Sequence, residues 1–147
     1  MASETVGRPM EILLVEDNLE DARTTMDALQ HGNVRCRVSL VRDGEEAMEF
    51  ARRIGRFAQV PRPDLVLLDL NLPKKDGREV LSEIRGDEEL KRIPVVVLTG
   101  SPTHQELLMK ENLHVNEYMT KPVDNEQFVS TVKSLRKYLL SDVILPQ

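Results

Sequence analysis

The sequence predicts an α/β fold, namely a single (βα)5 unit with a doubly wound, five-stranded parallel sheet. Short apolar runs that stop at a polar residue recur along the chain, as in Leu65–Asp69. Such runs are typical of parallel strands that are buried on both faces. Segments with helical periodicity and capping residues separate them. Because strand and helix patterns alternate five times, the helices are expected on both faces of one sheet.

The first two units show this alternation clearly. The first strand is predicted at residues 11–15, and Asn18 is the expected N-cap of a helix that ends near residue 30. The second strand is predicted at residues 34–41, and Asp43-Gly44-Glu45-Glu46 resembles a capping box. The apolar stripe of the helix that follows is predicted to comprise Ala47, Met48, Phe50, Ala51 and Ile54.

The remaining units follow a loop at residues 55–63 that carries two prolines. Strands are predicted at residues 64–68, 93–98 and 115–119, and helices at residues 78–85 and 103–111. Asp124 is the expected N-cap of a last helix. In this helix Phe128, Val132, Leu135 and Leu139 keep helical spacing.

Composition limits the class of protein. The 147 residues fit one domain, predicted at residues 10–140, with a flexible N-terminal tail at 1–9 and an apolar C-terminal tail at 141–147. Cys36 is the only cysteine, so no intrachain disulfide is expected. The sequence shows neither a signal-peptide pattern nor an apolar run of membrane-spanning length, so we expect a cytoplasmic protein that does not enter a membrane.

The charge balance makes nucleic acid an unexpected partner. The net charge is −5, whereas binding to a duplex requires a basic face. A local basic cluster exists, and we interpret it as a solvated helix face and loop. It comprises Arg52, Arg53, Arg56 and Arg62.

Polar residues stand at the carboxyl ends of four predicted strands, where α/β sheets bind ligands. Glu16-Asp17, Asp69 and Thr99 follow three apolar runs, and Lys121 follows a fourth segment. A carboxylate such as Asp69 can act as a nucleophile toward phosphorus. Carboxylates about 4 Å apart repel each other by roughly 4 kcal/mol at an effective dielectric near 20. A bound Mg²⁺ reverses that repulsion.

The other residues fit phosphoryl chemistry. Lys121 offers a cation and Thr99 a hydroxyl donor for phosphoryl oxygens, and the backbone carbonyl of Asn71 could complete the metal shell. Each residue alone has a simpler explanation: a helix N-cap for Asp69, a turn for Thr99 and an exposed lysine for Lys121. The joint arrangement at one sheet edge favours a site.

On these motifs the chain resembles the receiver domains of two-component response regulators, over about residues 11–140. The motifs are Glu16-Asp17, Asp69 within Leu-Leu-Asp-Leu-Asn-Leu-Pro, Pro73, Gly77, Thr99 and Lys121-Pro122. The resemblance implies a flavodoxin-like (CheY-like) fold with Asp69 as phosphoacceptor. It implies that Glu16, Asp17, Asp69 and the Asn71 carbonyl hold Mg²⁺, and that the protein is not an enzyme beyond assisting its own phosphorylation and dephosphorylation.

The resemblance carries further expectations. The bond before Pro122 is expected to be cis, and Tyr118 matches the aromatic residue that turns inward when Thr99 moves toward the phosphoryl group. Alternatively, Tyr118 half-buries its ring whatever the phosphorylation state. Parts of the chain look like the small regulators paired with phytochromes. This likeness implies a sensor histidine kinase, of phytochrome type, as the partner.

No output domain is expected after the last helix, so signalling is expected to proceed through protein contacts, phosphate passing or assembly.

The last residues are unexpectedly apolar. The apolar tail either folds back on its own domain or reaches a second copy, and we predict a homodimer. The dimer contacts would be Leu139, Leu140, Val143, Ile144 and Leu145.

Two other functions compete with this interpretation. One is a phosphorylation-independent interaction module on a receiver scaffold. The other is a phosphatase of the haloacid-dehalogenase type, because Asp69-Leu70-Asn71 resembles the start of that family's motif. In that family a second acid acts as general acid and base, and Asn71 cannot take this role.

Overall fold

A computed structural model describes residues 7–31, 34–70, 72, 74–99, 113–140 and 143–144. Five parallel strands form one sheet in the order β2-β1-β3-β4-β5. The doubly wound α/β prediction is therefore confirmed. The strands are β1 Met10–Val15, β2 Cys36–Val41, β3 Leu65–Asp69, β4 Val95–Thr99 and β5 Glu117–Thr120. The helices are α1 Leu19–Gln30, α2 Gly44–Arg52, α3 Gly77–Gly86 and α4 Asn125–Ser134.

Side-chain caps define the start of each of these helices, as the sequence predicts for three of them. Asn18, Asp43, Asp76 and Asp124 each accept a hydrogen bond from the backbone N–H three residues later. Such caps satisfy backbone donors that have no partner within the helix. The predicted helix at residues 103–111 lies outside the described residues.

Strand limits differ from the prediction by one or two residues. β3 and β4 extend to Asp69 and Thr99, one residue beyond the predicted ends. Pairing with a neighbouring strand sets these limits, since Asp69 is in register with Leu98 and Thr99 with Thr120. Both polar residues are therefore part of the sheet itself.

The alternating side chains of the strands form two cores. Leu13, Val66 and Val97 belong to the first core, with residues of α2 and α3. Leu14, Leu67 and Leu98 belong to the second, with residues of α1 and α4. Because both faces are buried, β1, β3 and β4 are continuous apolar runs, the feature on which the fold prediction depends.

Two predicted helix limits need correction. Ile54 was predicted to continue the buried stripe of α2, but it is half exposed because α2 ends at Arg52 and Arg53 adopts a left-handed conformation. The last helix was predicted to include Leu139, but α4 ends at Ser134 and a 3-10 turn covers Arg136–Tyr138. Leu139 nevertheless packs against the second core.

Part of the C-terminal segment packs on its own chain. Val143 forms a parallel bridge with Arg8 and is buried in the second core. The backbone N–H of Ile144 donates to the carbonyl of Arg8 at 3.0 Å. The Arg8 guanidinium in turn donates two hydrogen bonds to the buried carboxylate of Asp64, at 2.6 and 2.9 Å. The limits of the tails stay predictions.

In the part of the chain that the structure describes, no helix has both the length and the apolar character needed to cross a bilayer.

Candidate functional site

The sheet brings the ends of four strands together. Val15 pairs with Leu68 in register, so Glu16 and Asp17 leave β1 beside the end of β3. Lys121 follows β5 directly, and its backbone N–H donates to the Thr99 carbonyl at 3.0 Å. Parallel register therefore places the predicted acidic, hydroxyl and ammonium groups at one edge of the sheet.

Three carboxylates form a cluster there. Glu16, Asp17 and Asp69 each offer an oxygen, and these oxygens lie within 4.8 Å of one another. Glu16 is fully buried, and Asp69 is also buried. Burial, together with the neighbouring carboxylate of Asp69, raises the pKa of Glu16 to about 7. Burial and a nearby negative charge both disfavour the ionised form of a carboxylate.

Lys121 is the positive charge of the site. Its Nζ lies 2.9 Å from Asp69 Oδ2, 2.7 Å from Glu16 Oε1 and 3.1 Å from Asp21 Oδ2. Burial acts to lower the pKa of Lys121, but the three carboxylates outweigh burial and raise it above its ordinary value. Lys121 is therefore fully charged at neutral pH.

Lys121 and Glu16 form an ion pair, with Nζ 2.7 Å from Oε1. Within the described residues, the buried Glu16 Oε1 has no hydrogen-bond partner. Its other oxygen accepts from the Asn18 N–H at 3.3 Å. A buried carboxylate oxygen that lacks a donor is suited to coordinate a cation, which needs no donor hydrogen.

The three carboxylates therefore fit a hard divalent cation. Such ions prefer oxygen ligands and several negative charges. Glu16, Asp17 and Asp69 would hold the ion. The carbonyl of Asn71, predicted as a further ligand, lies outside the described residues.

The predicted switch residues lie in the neighbouring strands β4 and β5. Thr99 is buried at the end of β4. Tyr118 lies two residues before the end of β5 and is partly buried against the first core, and burial raises the pKa of its hydroxyl. The peptide bond between Lys121 and Pro122 is cis.

The segment after β3 approaches the site closely through Gly77. Its N–H donates to the Leu70 carbonyl at 3.0 Å. A Cβ on Gly77 would lie 2.5 Å from Leu70 Cα and 2.6 Å from the Asp69 carbonyl oxygen. Glycine at this position therefore lets α3 begin directly against the backbone of Asp69.

Sequence reasoning missed two residues that contact the site. Asp21 was not predicted as a site residue, yet its carboxylate accepts a hydrogen bond from Lys121. Arg42 was not singled out, and its Nη2 donates to the Asp17 carbonyl at 3.0 Å. Asp21 lies within α1 and does not follow a strand, so only the packing of α1 reveals it. Arg42 follows β2 directly, and its position at a strand end is a signal that could have identified it.

Two of the four arginines in the basic cluster have acidic partners. Arg52 lies 3.3 Å from Glu83 and 3.6 Å from Asp87, and Arg56 is paired with Glu46. These partners support its interpretation as a solvated face.

Comparison with known proteins defines the class of protein. Residues 12–133 match the response regulator receiver domain. The chain belongs to this family, whose members are phosphoacceptor modules of two-component signalling.

Three relatives are especially similar. Response regulator Rcp1 of Synechocystis sp. is 43% identical over 144 residues, which are 98% of this chain and 98% of Rcp1. A crystal structure of the Mn²⁺-bound form of Rcp1 has a TM-score of 0.72 at 44% identity, covering 95% of this chain and 100% of that one.

The other two are phytochrome response regulators. The phosphorylated cyanobacterial phytochrome response regulator RcpA has a TM-score of 0.74 at 48% identity, covering 95% of this chain and 100% of that one. The bacteriophytochrome response regulator RtBRR has a TM-score of 0.83 at 37% identity, and the match covers 95% of this chain and 84% of RtBRR. This chain therefore resembles phytochrome response regulators in particular.

Proposed function

We propose that Asp69 accepts a phosphoryl group in a Mg²⁺-dependent reaction and that the resulting aspartyl-phosphate is the signal. The observation that carries the proposal is the position of Asp69. Its carboxylate lies in a cluster with Glu16 and Asp17 and only 2.9 Å from the ammonium of Lys121. This carboxylate therefore belongs to the proposed cation site and also contacts a fixed positive charge.

The residues have defined roles in the transfer. A carboxylate oxygen of Asp69 forms a new bond to phosphorus while the bond to the donor's leaving group breaks, and the leaving group keeps that electron pair. A bound Mg²⁺ would neutralise the carboxylates and the charge on the phosphoryl oxygens. Lys121 and Thr99 would bind phosphoryl oxygens. By the same contacts the domain assists its own phosphorylation and dephosphorylation, without turning over small substrates as an enzyme does.

The switch is proposed to involve Thr99 and Tyr118. Thr99 would move toward the phosphoryl group, and Tyr118 would turn inward to fill the space. Support comes from their positions, since both lie near the ends of the adjacent strands β4 and β5 and Tyr118 already packs partly on the first core. A new local charge would thereby change packing on one face of the domain.

The proposed phosphodonor in the cell is a sensor histidine kinase of phytochrome type. The similarity to Rcp1, RcpA and RtBRR supports this partner. The proposal also keeps the expected cytoplasmic location, where such kinases find ATP. Neither a membrane nor a nucleic acid is proposed as a partner.

A homodimer is part of the proposal, with the apolar C-terminal segment as its contact. Leu140 is 52% exposed and Tyr138 is 42% exposed, which supports an apolar surface here. Val143 is buried on its own chain, Leu139 and Ile144 are partly covered, and Leu145 lies outside the described residues. Leu140 is therefore the exposed leucine available to a second copy.

Light scattering of a chain truncated after Lys137 tests this dimer. The full chain is expected to have the mass of a dimer and the truncated chain that of a monomer. The single substitution Leu140→Ser should weaken the dimer, whereas Val143→Ser should mainly destabilise the fold. A dimer unchanged by truncation would exclude the C-terminal segment as the contact.

Intact mass after incubation with acetyl phosphate tests the phosphoacceptor. Wild type is expected to gain one phosphoryl group with Mg²⁺ and none with EDTA. Asp69→Asn should gain none, whereas Asp27→Asn, which changes an exposed carboxylate on α1, should behave as wild type. A wild type that stays unlabelled beside a labelled control receiver would instead favour a phosphorylation-independent interaction module. Sustained hydrolysis of small phosphate esters would favour a phosphatase.

A further inference from the structure

Lys121 contacts a carboxylate that lies outside the proposed metal cluster. Its Nζ is 3.1 Å from Asp21 Oδ2, in addition to its contacts with Glu16 and Asp69. An ammonium carries three N–H donors, and three carboxylates surround this one. They come from three different elements, since Glu16 follows β1, Asp69 ends β3 and Asp21 lies in the first turn of α1.

The start of α1 holds Asp21 in place. The backbone N–H of Asp21 donates to Asn18 Oδ1 at 2.9 Å, which is the N-cap hydrogen bond of this helix. The cap fixes the backbone of the first turn and so fixes where the Asp21 side chain begins. The carboxylate then reaches across to Lys121 and remains 45% exposed to solvent.

The other two partners of Lys121 change during the proposed reaction. A cation would take oxygens of Glu16 and Asp69, and phosphorylation would convert the Asp69 carboxylate into an acyl phosphate. Asp21 is not among the carboxylates that lie within 4.8 Å of one another. Its charge and its contact with Lys121 can therefore persist while the others change.

The same contact affects cation binding. Without Asp21, the two described contacts left to Lys121 would be with Glu16 and Asp69, which belong to the cation cluster. The ammonium would then compete with the cation for those oxygens. A carboxylate on the α1 side draws Lys121 toward itself and reduces this competition.

We propose that Asp21 is a positioning residue that holds Lys121 beside Asp69 while the cation binds and the phosphoryl group is transferred. This inference rests on the proposed function of Asp69 as phosphoacceptor.

The test compares two substitutions that remove the same charge from the same helical turn. Asp21→Asn is expected to lower both the initial rate of labelling by acetyl phosphate and the Mn²⁺ affinity measured by calorimetry. Each should fall about two- to fivefold, the range of a partly exposed ion pair. Glu20→Gln should leave both values within about 1.5-fold of wild type, since no ion pair of Glu20 is described and its charge interacts weakly through solvent.

A double-mutant cycle shows whether Asp21 acts through Lys121. In a Lys121→Ala background, Asp21→Asn is expected to change neither the labelling rate nor the Mn²⁺ affinity. Asp21→Glu in the wild-type background should recover most of the lost rate. Thermal unfolding of each variant identifies any loss that is due to unfolding.

The outcomes are distinct. Equal losses in Asp21→Asn and Glu20→Gln, or an Asp21→Asn effect that survives in the Lys121→Ala background, would overturn the proposal because they indicate a general charge effect. Wild-type values in Asp21→Asn would overturn it as well. If wild type is not labelled at all, the proposed function fails, and the cycle measured on Mn²⁺ affinity still decides whether Asp21 positions Lys121.

Discussion

Lys121 Nζ lies 2.9 Å from Asp69 Oδ2, so the residue that follows β5 and the residue that ends β3 form a direct ion pair. β4 separates these two strands in the sheet. The long lysine side chain therefore crosses the end of β4, where Thr99 lies. This relationship places the ammonium over the proposed nucleophile before any phosphodonor arrives.

Removing this ammonium should slow phosphorylation strongly. We expect Lys121→Ala to lower the rate of labelling by acetyl phosphate about 10²-fold, the magnitude typical for loss of one fixed group that stabilises developing charge. Lys133→Ala, which removes an exposed lysine of α4, is the matched control and should label as wild type. Intact mass over time gives both rates. Equal rates in the two variants would contradict a role for Lys121.

Gly77 should be intolerant of a side chain. Gly77→Ala would place a Cβ 2.5 Å from Leu70 Cα and 2.6 Å from the Asp69 carbonyl oxygen. We expect a loss of about 1–3 kcal/mol in the free energy of unfolding, as for overpacking at a rigid contact.

Gly86, at the other end of α3, provides the control. A Cβ there would meet nothing within 4 Å. Gly86→Ala should be neutral or stabilise by about 0.4–1 kcal/mol, because alanine restricts the unfolded chain. Urea unfolding of both variants measures the difference. A Gly77→Ala protein as stable as Gly86→Ala would show that α3 can shift away from Asp69 easily.

The raised pKa of Glu16 should make stability depend on pH when no metal is present. Its pKa is about 7 in the folded chain against an ordinary value of 4.5, so the folded state holds this proton more tightly. The contribution of Glu16 is therefore fully present below pH 4.5 and is lost as the pH rises through 7. We expect Glu16→Gln to reduce the fall in unfolding free energy over this range, measured by urea unfolding with EDTA.

Cation binding should show the opposite pH dependence. A divalent cation requires the ionised form of Glu16, so Mg²⁺ affinity is expected to rise between pH 5 and pH 8. Calorimetric titrations at several pH values would show the rise in wild type and a smaller one in Glu16→Gln. An affinity independent of pH in wild type would mean that Glu16 is already ionised in the metal-free site.

Arg85, in α3, should stabilise the segments that lead into β4 and β5. Its guanidinium donates to the carbonyls of His114 at 2.9 Å and Ile93 at 3.1 Å, and to Asn116 Oδ1 at 2.6 Å. These acceptors lie before β4 and β5. We expect Arg85→Ala to cost about 1–3 kcal/mol, because partly buried acceptors lose their donor. Arg92→Ala, which removes an exposed arginine, should change stability by less than about 0.5 kcal/mol.

Much of the fold follows from local patterns. β1, β3 and β4 are apolar runs because both faces of a parallel sheet are covered, so they can be identified from the sequence. The caps Asn18, Asp43 and Asp124 could also be predicted, because a helix start depends on a few adjacent residues. Local signals do not fix where an element stops, and Ile54 and Leu139 were therefore assigned to helices that end before them.

The sequence by itself determined that polar residues stand at the carboxyl ends of four strands, namely Glu16, Asp17, Asp69, Thr99 and Lys121, although it predicted β3 and β4 to stop one residue before Asp69 and Thr99. Their convergence follows from the parallel sheet, because every parallel strand delivers its carboxyl end to the same edge. The contacts of Asp21 with Lys121 and of Arg42 with Asp17 were decided only by the tertiary structure. They depend on how α1 and the end of β2 pack beside the site, and such distances between segments are not encoded in any local pattern.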